Sequence, residues 1–275
     1  MKIGNYTASS FNFGMFALDG GAMFGSVPKT LWSKLISSDE SNRIPLATRC
    51  LVLRGEGRVI IVDVGMGEKW SDKQRSIYDI QNTPTENWAV RPDEVTDVIL
   101  THLHFDHAGG ITYLSPAGEV LPTFPHARIH LQKAHWEYAQ SPGQKDKASY
   151  IPENITPLAA LQLKLHDGTG ELLPGIWGHC VDGHTKGQQW IEVRGDDRSI
   201  MVATDVVPTS HHLPLPYHMG YDICAETILR EKREFLEFAR KGNHIVFFEH
   251  DPTVAAVTVE LNEKGHYGVA STIEF

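Results

Sequence analysis

The stretch VTDVILTHLHFDHAGG, residues 95–110, decides how the chain is read, because β-branched and apolar residues lead directly into three histidines and an aspartate within six positions. The first part predicts a buried strand, VTDVILTH at 95–102, which delivers the polar cluster at its carboxyl end. Several imidazoles and a carboxylate crowded together must each find a hydrogen-bond partner or suffer desolvation. Metal coordination resolves that conflict, since imidazole nitrogens and carboxylate oxygens are the ligands Zn²⁺ takes. In extended chain, residues two apart point the same way, so His102 and His104 suit one ion. Asp106 and His107, after a turn, can face another. Gly109 and Gly110 allow that turn a close backbone approach.

Working outward, CLVLR (50–54) and VIIVDVG (59–65) around a turn with GEG read as a hairpin of buried strands, with Asp63 at its end. EKWSDKQRSIYDI (68–80) reads as partly helical, with Pro84 and Pro92 as breakers. ARIHLQ (127–132) reads as a strand and KAHWEYAQ (133–140) as a short helix. GIWGHCVDGHT, QQWIEVRG and SIMVATD read as successive strands ending at residue 205. The clearest helix spans 222–241, capped by Asp222, with Ile228, Leu229, Phe235, Leu236 and Phe238 near helical spacing. HIVFFEHD (244–251) is a further buried strand. One motif cannot complete two ions of about four ligands each, and three strand-end residues of the second half can supply the rest: His184, Asp205 and His250. Asp205 is the natural bridge between them.

Residues 1–45, rich in Gly, Ser and aromatics, read as an irregular N-terminal extension that packs near the active site, and the whole of 1–275 as a single domain. The 41% hydrophobic and 21% charged residues are ordinary globular values, which argues against disorder. A formal net charge of −9 lacks the basic footprint that phosphate neutralisation needs, so nucleic acid is not an expected partner. No apolar run approaches a membrane span and no leader pattern opens the chain, giving the expectation of a cytoplasmic protein without a membrane partner. Cys50, Cys180 and Cys224 are too far apart for a metal knuckle and read as packing residues.

The elements H-x-H-x-D-H-x-G-G at 102–110, G-H-T at 183–185, Asp205, His250 and the upstream Asp63 in VDVGMG stand together in one order. Over residues 48–251 the chain thereby resembles the metallo-β-lactamase superfamily. The resemblance implies an α/β fold, the αββα sandwich, in which two mixed β-sheets flanked by helices hold a di-metal site at their edges. It implies that His102, His104 and His184 take the first ion, that Asp106, His107 and His250 take the second, and that Asp205 bridges. Asp63 is placed to orient a metal-bound imidazole rather than to bind metal itself. The expected cofactors are two Zn²⁺, with other divalent metals as alternatives. Diiron flavoproteins of the superfamily carry Glu where this chain has His104, which disfavours electron transfer.

The flanks LDGGAMFGSVPKTLW, DVVPTSHHLP, MGYD and FFEHDP are similar to the YtnP-type quorum-quenching lactonase branch, itself similar to methyl parathion hydrolases. That likeness implies opening of a lactone ring, an N-acyl homoserine lactone or a related lactone or ester, by attack of a metal-bridging hydroxide. Asp106 is the expected catalytic carrier of the proton to the leaving alkoxide. An organophosphate triesterase acting through the same hydroxide is the rival, and a non-catalytic metal sensor a more distant one. Better-known acyl-homoserine lactonases place a tyrosine three residues after the bridging aspartate, where this chain has Pro208. Tyr221 and His212 are the candidate substitutes. Met23, Phe24, Trp32 and the 206–221 loop are the candidate walls of an apolar substrate pocket. The apolar N-terminal segment, where exposed, would suit a homodimer contact.

Overall fold

Strand alternation builds this fold, and the computed structural model, which describes residues 1–275, shows it in the burial of successive side chains. In the strand Arg43–Gly55, Leu51 and Leu53 enter one core while Cys50 and Val52 enter another. Both faces are covered, so the alternation is between two apolar environments rather than between core and water. The same holds for Arg58–Val62, where Ile60 and Val62 oppose Ile61, and for Ile200–Val202 and Ile245–Phe247, where Met201 and Val246 point away from their neighbours.

The first sheet runs Lys2–Ile3, Tyr6–Asp19, Arg43–Gly55, Arg58–Val62, Asp97–Ile99, Arg128–Gln132 and Leu163–His166, with Gln81–Asn82 paired to Tyr6–Asp19. Its last four strands are mutually parallel. The second runs Gly170–Leu173, Ile176–Val181, Gln188–Val193, Ile200–Val202, Ile245–Phe247, Ala256–Leu261 and Tyr267–Ile273, with one parallel pair at 200–202 and 245–247. The sheets pack face to face through Leu51, Leu53, Ile60, Val62 and Ile99 against Ile191, Val193, Ile200, Val202 and Phe247. Outside the first lie Ala108, Ala139 and Leu158 of short helical segments; outside the second lie Ile228, Phe235 and Leu236 of the helix Ala225–Lys241. The architecture is the expected sandwich of two mixed sheets between helical layers.

Backbone bonds cross from sheet to sheet at one edge. The amides of Ala47 and Arg49 donate to the carbonyls of His250 and Glu249, and the Gln189 amide donates to Thr101 O. These bonds tie the two sheets together at the edge that carries the histidines.

Two expectations are corrected. Residues 6–19 are not irregular: they form a 14-residue strand paired along Arg43–Gly55, interrupted by a bulge between Asn12 and Met15. Their Ser and Asn residues hide an alternation that only pairing with a distant apolar strand stabilises. Residues 1–45 thus belong largely to the first sheet, with short helices at Gly20–Phe24 and Lys29–Trp32 over one end. Of that segment's large apolar residues past the strand, Trp32 and Phe24 are buried and Leu31 and Leu35 are exposed. The long helix begins at Ala225 with Cys224 at its N-cap and no capping side chain, so Asp222 is not its cap. No helix is long and apolar enough to cross a membrane.

Phe247 is fully buried between the sheets. Phe247→Ala is expected to destabilise the protein by about 3–5 kcal/mol through lost contacts and a residual cavity, read as a lowered urea midpoint with unchanged slope.

Candidate metal centre

Five strands of the two sheets end at the same edge of the sandwich. Asp63 follows Val62, the 102–107 segment follows Ile99, His184 follows Val181, Asp205 follows Val202 and His250 follows Phe247. Two of these exits use left-handed backbone at residues with a side chain: Asp63 at φ +56° and Thr204, just before Asp205, at φ +49°. Thr204 is β-branched, and its conformation is held where its hydroxyl accepts the Gln188 amide at 2.6 Å. Strain of this kind persists only where surrounding structure over-determines it.

The exits bring seven side chains into two groups of converging donor atoms. His102, His104, His184 and Asp205 form one; Asp106, His107 and His250 form the other. Within the first, His104 Nδ1 and His184 Nε2 lie 3.1 Å apart and His184 Nε2 lies 3.0 Å from Asp205 Oδ2. Within the second, His107 Nε2 and His250 Nε2 are 3.0 Å apart, and Asp106 Oδ2 is 3.6 Å from His250 Nε2. Asp205 lies between them: its Oδ2 is 3.6 Å from His102 Nε2 and 3.5 Å from His107 Nε2, while its Oδ1 is 3.2 Å from His250 Nε2.

Every inward-facing ring has its other nitrogen occupied or faced from outside. His102 Nδ1 meets Thr101 Oγ1 at 3.1 Å, and that hydroxyl donates to Asp63 Oδ2 at 2.6 Å. His107 Nδ1 donates to the same Asp63 oxygen at 2.7 Å, His184 Nδ1 to Asp222 at 2.9 Å and His250 Nδ1 to Ala47 O at 2.9 Å. His104 is turned the other way, with Nε2 buried without a hydrogen-bond partner, 4.0 Å from the buried Asp146. Outer partners of this kind fix the tautomer that leaves a lone pair pointing inward.

The electrostatics call for a cation. Burial holds His102 and His104 below the ordinary imidazole range and hence neutral, the form that binds metal. Burial also opposes charge on His184, but Asp205 and Asp222 outweigh it and raise the ring to about 10. His107 is raised likewise, by Asp106, Asp205 and Asp63 against burial. The carboxylates thus demand positive charge at the centre. His102 Nε2 and Asp205 Oδ1 are buried there without a hydrogen-bond partner, which protein groups alone leave unexplained and coordination satisfies. The residues present fit divalent metal ions.

A pocket of about 200 Å³ opens onto both groups, and its lining includes His104, Asp106, His184, Asp205 and His250 beside Met23 and Tyr221. A larger cavity of about 530 Å³, behind Gly67 and Gly110, is lined by none of these donors. The chemistry belongs to the smaller one. Of the candidate pocket residues, Met23 and Tyr221 line it and Phe24, His212 and Trp32 do not. Phe24 is sealed between Trp32 and His212, stacked on them at centroid distances of 5.5 and 4.6 Å. His212 bonds the Met23 carbonyl at 2.9 Å and Thr209 at 2.8 Å, so it holds the pocket wall from behind. Trp32 is likewise buried in that layer.

Four polar residues here carried no signal in the sequence. Asp222 and Asp146 face histidines distant in sequence. His135, neutral because burial pushes it down to about 3, accepts the Leu103 amide and donates to Lys186 O, tying the two segments that carry the first group. Glu249 lies beside Asp63 and His107, and burial followed by the Asp63 charge raises its carboxyl well above the usual range, keeping it protonated. The adjacent His250 hid it; only spatial proximity reveals these four.

Comparison with known proteins agrees with this geometry. A family model described as the metallo-beta-lactamase superfamily matches residues 43–250. The chain belongs to that superfamily, and it is a metal-dependent hydrolase. It is 27% identical over 233 residues to an N-acyl homoserine lactonase of Bacillus cereus, covering 76% of this chain and 83% of that protein. Among solved structures it is similar to a probable metal-dependent hydrolase from Staphylococcus aureus, with 28% identity, full coverage of both chains and a TM-score of 0.87. It shares its fold with AidC, a dizinc quorum-quenching lactonase, at a TM-score of 0.81 and 18% identity, over 100% of this chain and 97% of that one.

Asp63→Asn replaces the oxygen that accepts from both Thr101 and His107. It is expected to weaken divalent-metal affinity about 10- to 100-fold with the fold retained, measured by competition with a chromophoric chelator and by circular dichroism.

Proposed function

We propose that this protein is a di-zinc hydrolase that opens the ring of N-acyl homoserine lactones. The observation that carries it is the Asp205 carboxylate set between two imidazole groups at the floor of a partly apolar pocket. On this reading His102, His104 and His184 hold one ion, Asp106, His107 and His250 the other, and Asp205 both. The similarity to N-acyl homoserine lactonases supports the choice of substrate. Residues 1–275 act as one domain, because residues 6–19 are a strand of the first sheet and Met23 is part of the pocket.

Two bound zinc ions supply a nucleophile at neutral pH and Lewis-acid stabilisation of the developing oxyanion. The chain supplies the rest. Leu18, Leu46, Phe105 and Met219 give the pocket an apolar lining suited to an acyl chain, beside the polar donors. Asp106, in the first turn of the short helix Phe105–Ala108, keeps its side chain 11% exposed at the pocket and can pass a proton to the leaving alkoxide. Tyr221 takes the place of the hydroxyl missing at Pro208. Burial, then the charges of Asp19 and Asp106, raise its phenol to about 12, so it stays protonated and can donate to the lactone carbonyl. Pro208 itself contributes a carbonyl that accepts the His250 amide.

The zinc-loaded protein is expected to contain two metal ions per chain by elemental analysis, to open N-hexanoyl homoserine lactone, and to lose activity to a chelator and regain it with zinc. Turnover of aryl phosphotriesters with no lactone opening would reject the reading in favour of a triesterase. Tyr221→Phe is expected to lower kcat about 10²-fold with metal content unchanged, the size found when one oxyanion donor is removed.

A further inference from the structure

The helix Ala225–Lys241 buries one face against the second sheet through Ile228, Phe235, Leu236 and Ala239, and on that face stands a lysine. Lys232 is 1% exposed. An ammonium is rarely left inside a protein unless its N–H groups are all taken. Its three partners are main-chain carbonyls of one loop: Pro214 O at 2.8 Å, Leu215 O at 3.5 Å and Tyr217 O at 2.7 Å.

That loop, LPLPY at 213–217, contains two prolines without N–H groups, and its backbone bonding is limited to turn contacts such as the Tyr217 amide to Pro214 O. The lysine organises it instead, its amino group wrapped by carbonyl dipoles, with burial pulling it down to about 7 against the charge of Asp222. Directly beyond the wrapped residues, the Met219 amide donates to Asp222 at 2.8 Å and the Gly220 amide to Ala22 O at 2.7 Å. Met219 and Tyr221 line the pocket, and Asp222 holds His184.

We propose that Lys232 is a positioning residue for substrate binding: by gathering the carbonyls of Pro214, Leu215 and Tyr217 it fixes the pocket wall formed by Met219 and Tyr221. Lys232 touches neither substrate nor metal donors; it acts through the loop. Chain entropy drives the opposite way, and the other holds on this stretch are the buried Leu213, the turn bond from the Tyr217 amide to Pro214 O and the His218 contact with Asp222; Lys232 is the group that joins three of its carbonyls at one point.

The proposal rests on the lactonase reading only for its assay substrate, and the test separates the two. Lys232→Met keeps the aliphatic stem and removes the donors. Hydrogen–deuterium exchange of the metal-loaded protein should show faster exchange at Tyr217, Met219, Gly220 and Asp222, with two metal ions still bound. With N-hexanoyl homoserine lactone, KM should rise about tenfold, the size expected when strong hydrogen bonds to one group are lost, and kcat should fall as Tyr221 is displaced, by less than the roughly 10²-fold of Tyr221→Phe. Val259→Ala, in the same core but on the strand Ala256–Leu261, controls for destabilisation and should move neither readout. Should Lys232→Met not fold, Lys232→Gln, which keeps two donors, is expected to shift both in the same direction by less. Unchanged loop exchange and unchanged KM overturn the proposal. A wild-type protein that opens no lactone overturns the function proposed above, and the exchange result then decides on Lys232 alone.

Discussion

The structure depends on a buried anion. Asp205 is held inside the protein with His184, His107 and His250 around it, and although burial opposes its charge, these neighbours draw its carboxyl well below the usual range. A lone carboxylate at that depth would cost several kcal/mol, so its surroundings must supply positive charge. Protonated imidazoles can do this in part, and metal ions do it while also satisfying lone pairs that otherwise have no partner. The rest of the site follows from keeping those imidazoles aimed at one place.

Aim is a matter of architecture. Neither sheet holds enough donors alone: His102, His104, Asp106 and His107 leave the first, and His184, Asp205 and His250 leave the second. The apolar core between the sheets sets their separation, and the backbone bonds from Ala47 to His250 and from Gln189 to Thr101 set their register at the edge where it matters. Packing contributes the bulk of the stability, and these few directional contacts contribute the alignment.

How much of this could be read from the sequence depended on how local the signal was. The inward-facing donors were legible because four stand together in six positions just after an apolar strand and the other three follow strands, and both signals are local. The strand Tyr6–Asp19 was not, since Ser9, Ser10 and Asn12 carry no strand preference and its pairing with Arg43–Gly55 is a tertiary event. Asp222 looked like a helix cap because the sequence shows only that an aspartate precedes a helix; its bond to His184 crosses 38 positions. Phe24 and His212, expected at the pocket wall, stand one layer behind it, because nothing in a sequence says which of two adjacent apolar residues, Met23 or Phe24, turns inward.

Asp63 invites a last observation. One of its oxygens receives both the Thr101 hydroxyl, which abuts His102, and the His107 ring. It therefore spans the two donor groups from outside, as Asp205 spans them from within. The gap between the groups is thus ruled off twice by short polar bonds, on top of the separation that the apolar core gives the sheets. Two such rulers, one inside and one outside, make the distance between the groups a property of side-chain bonds as well as of packing.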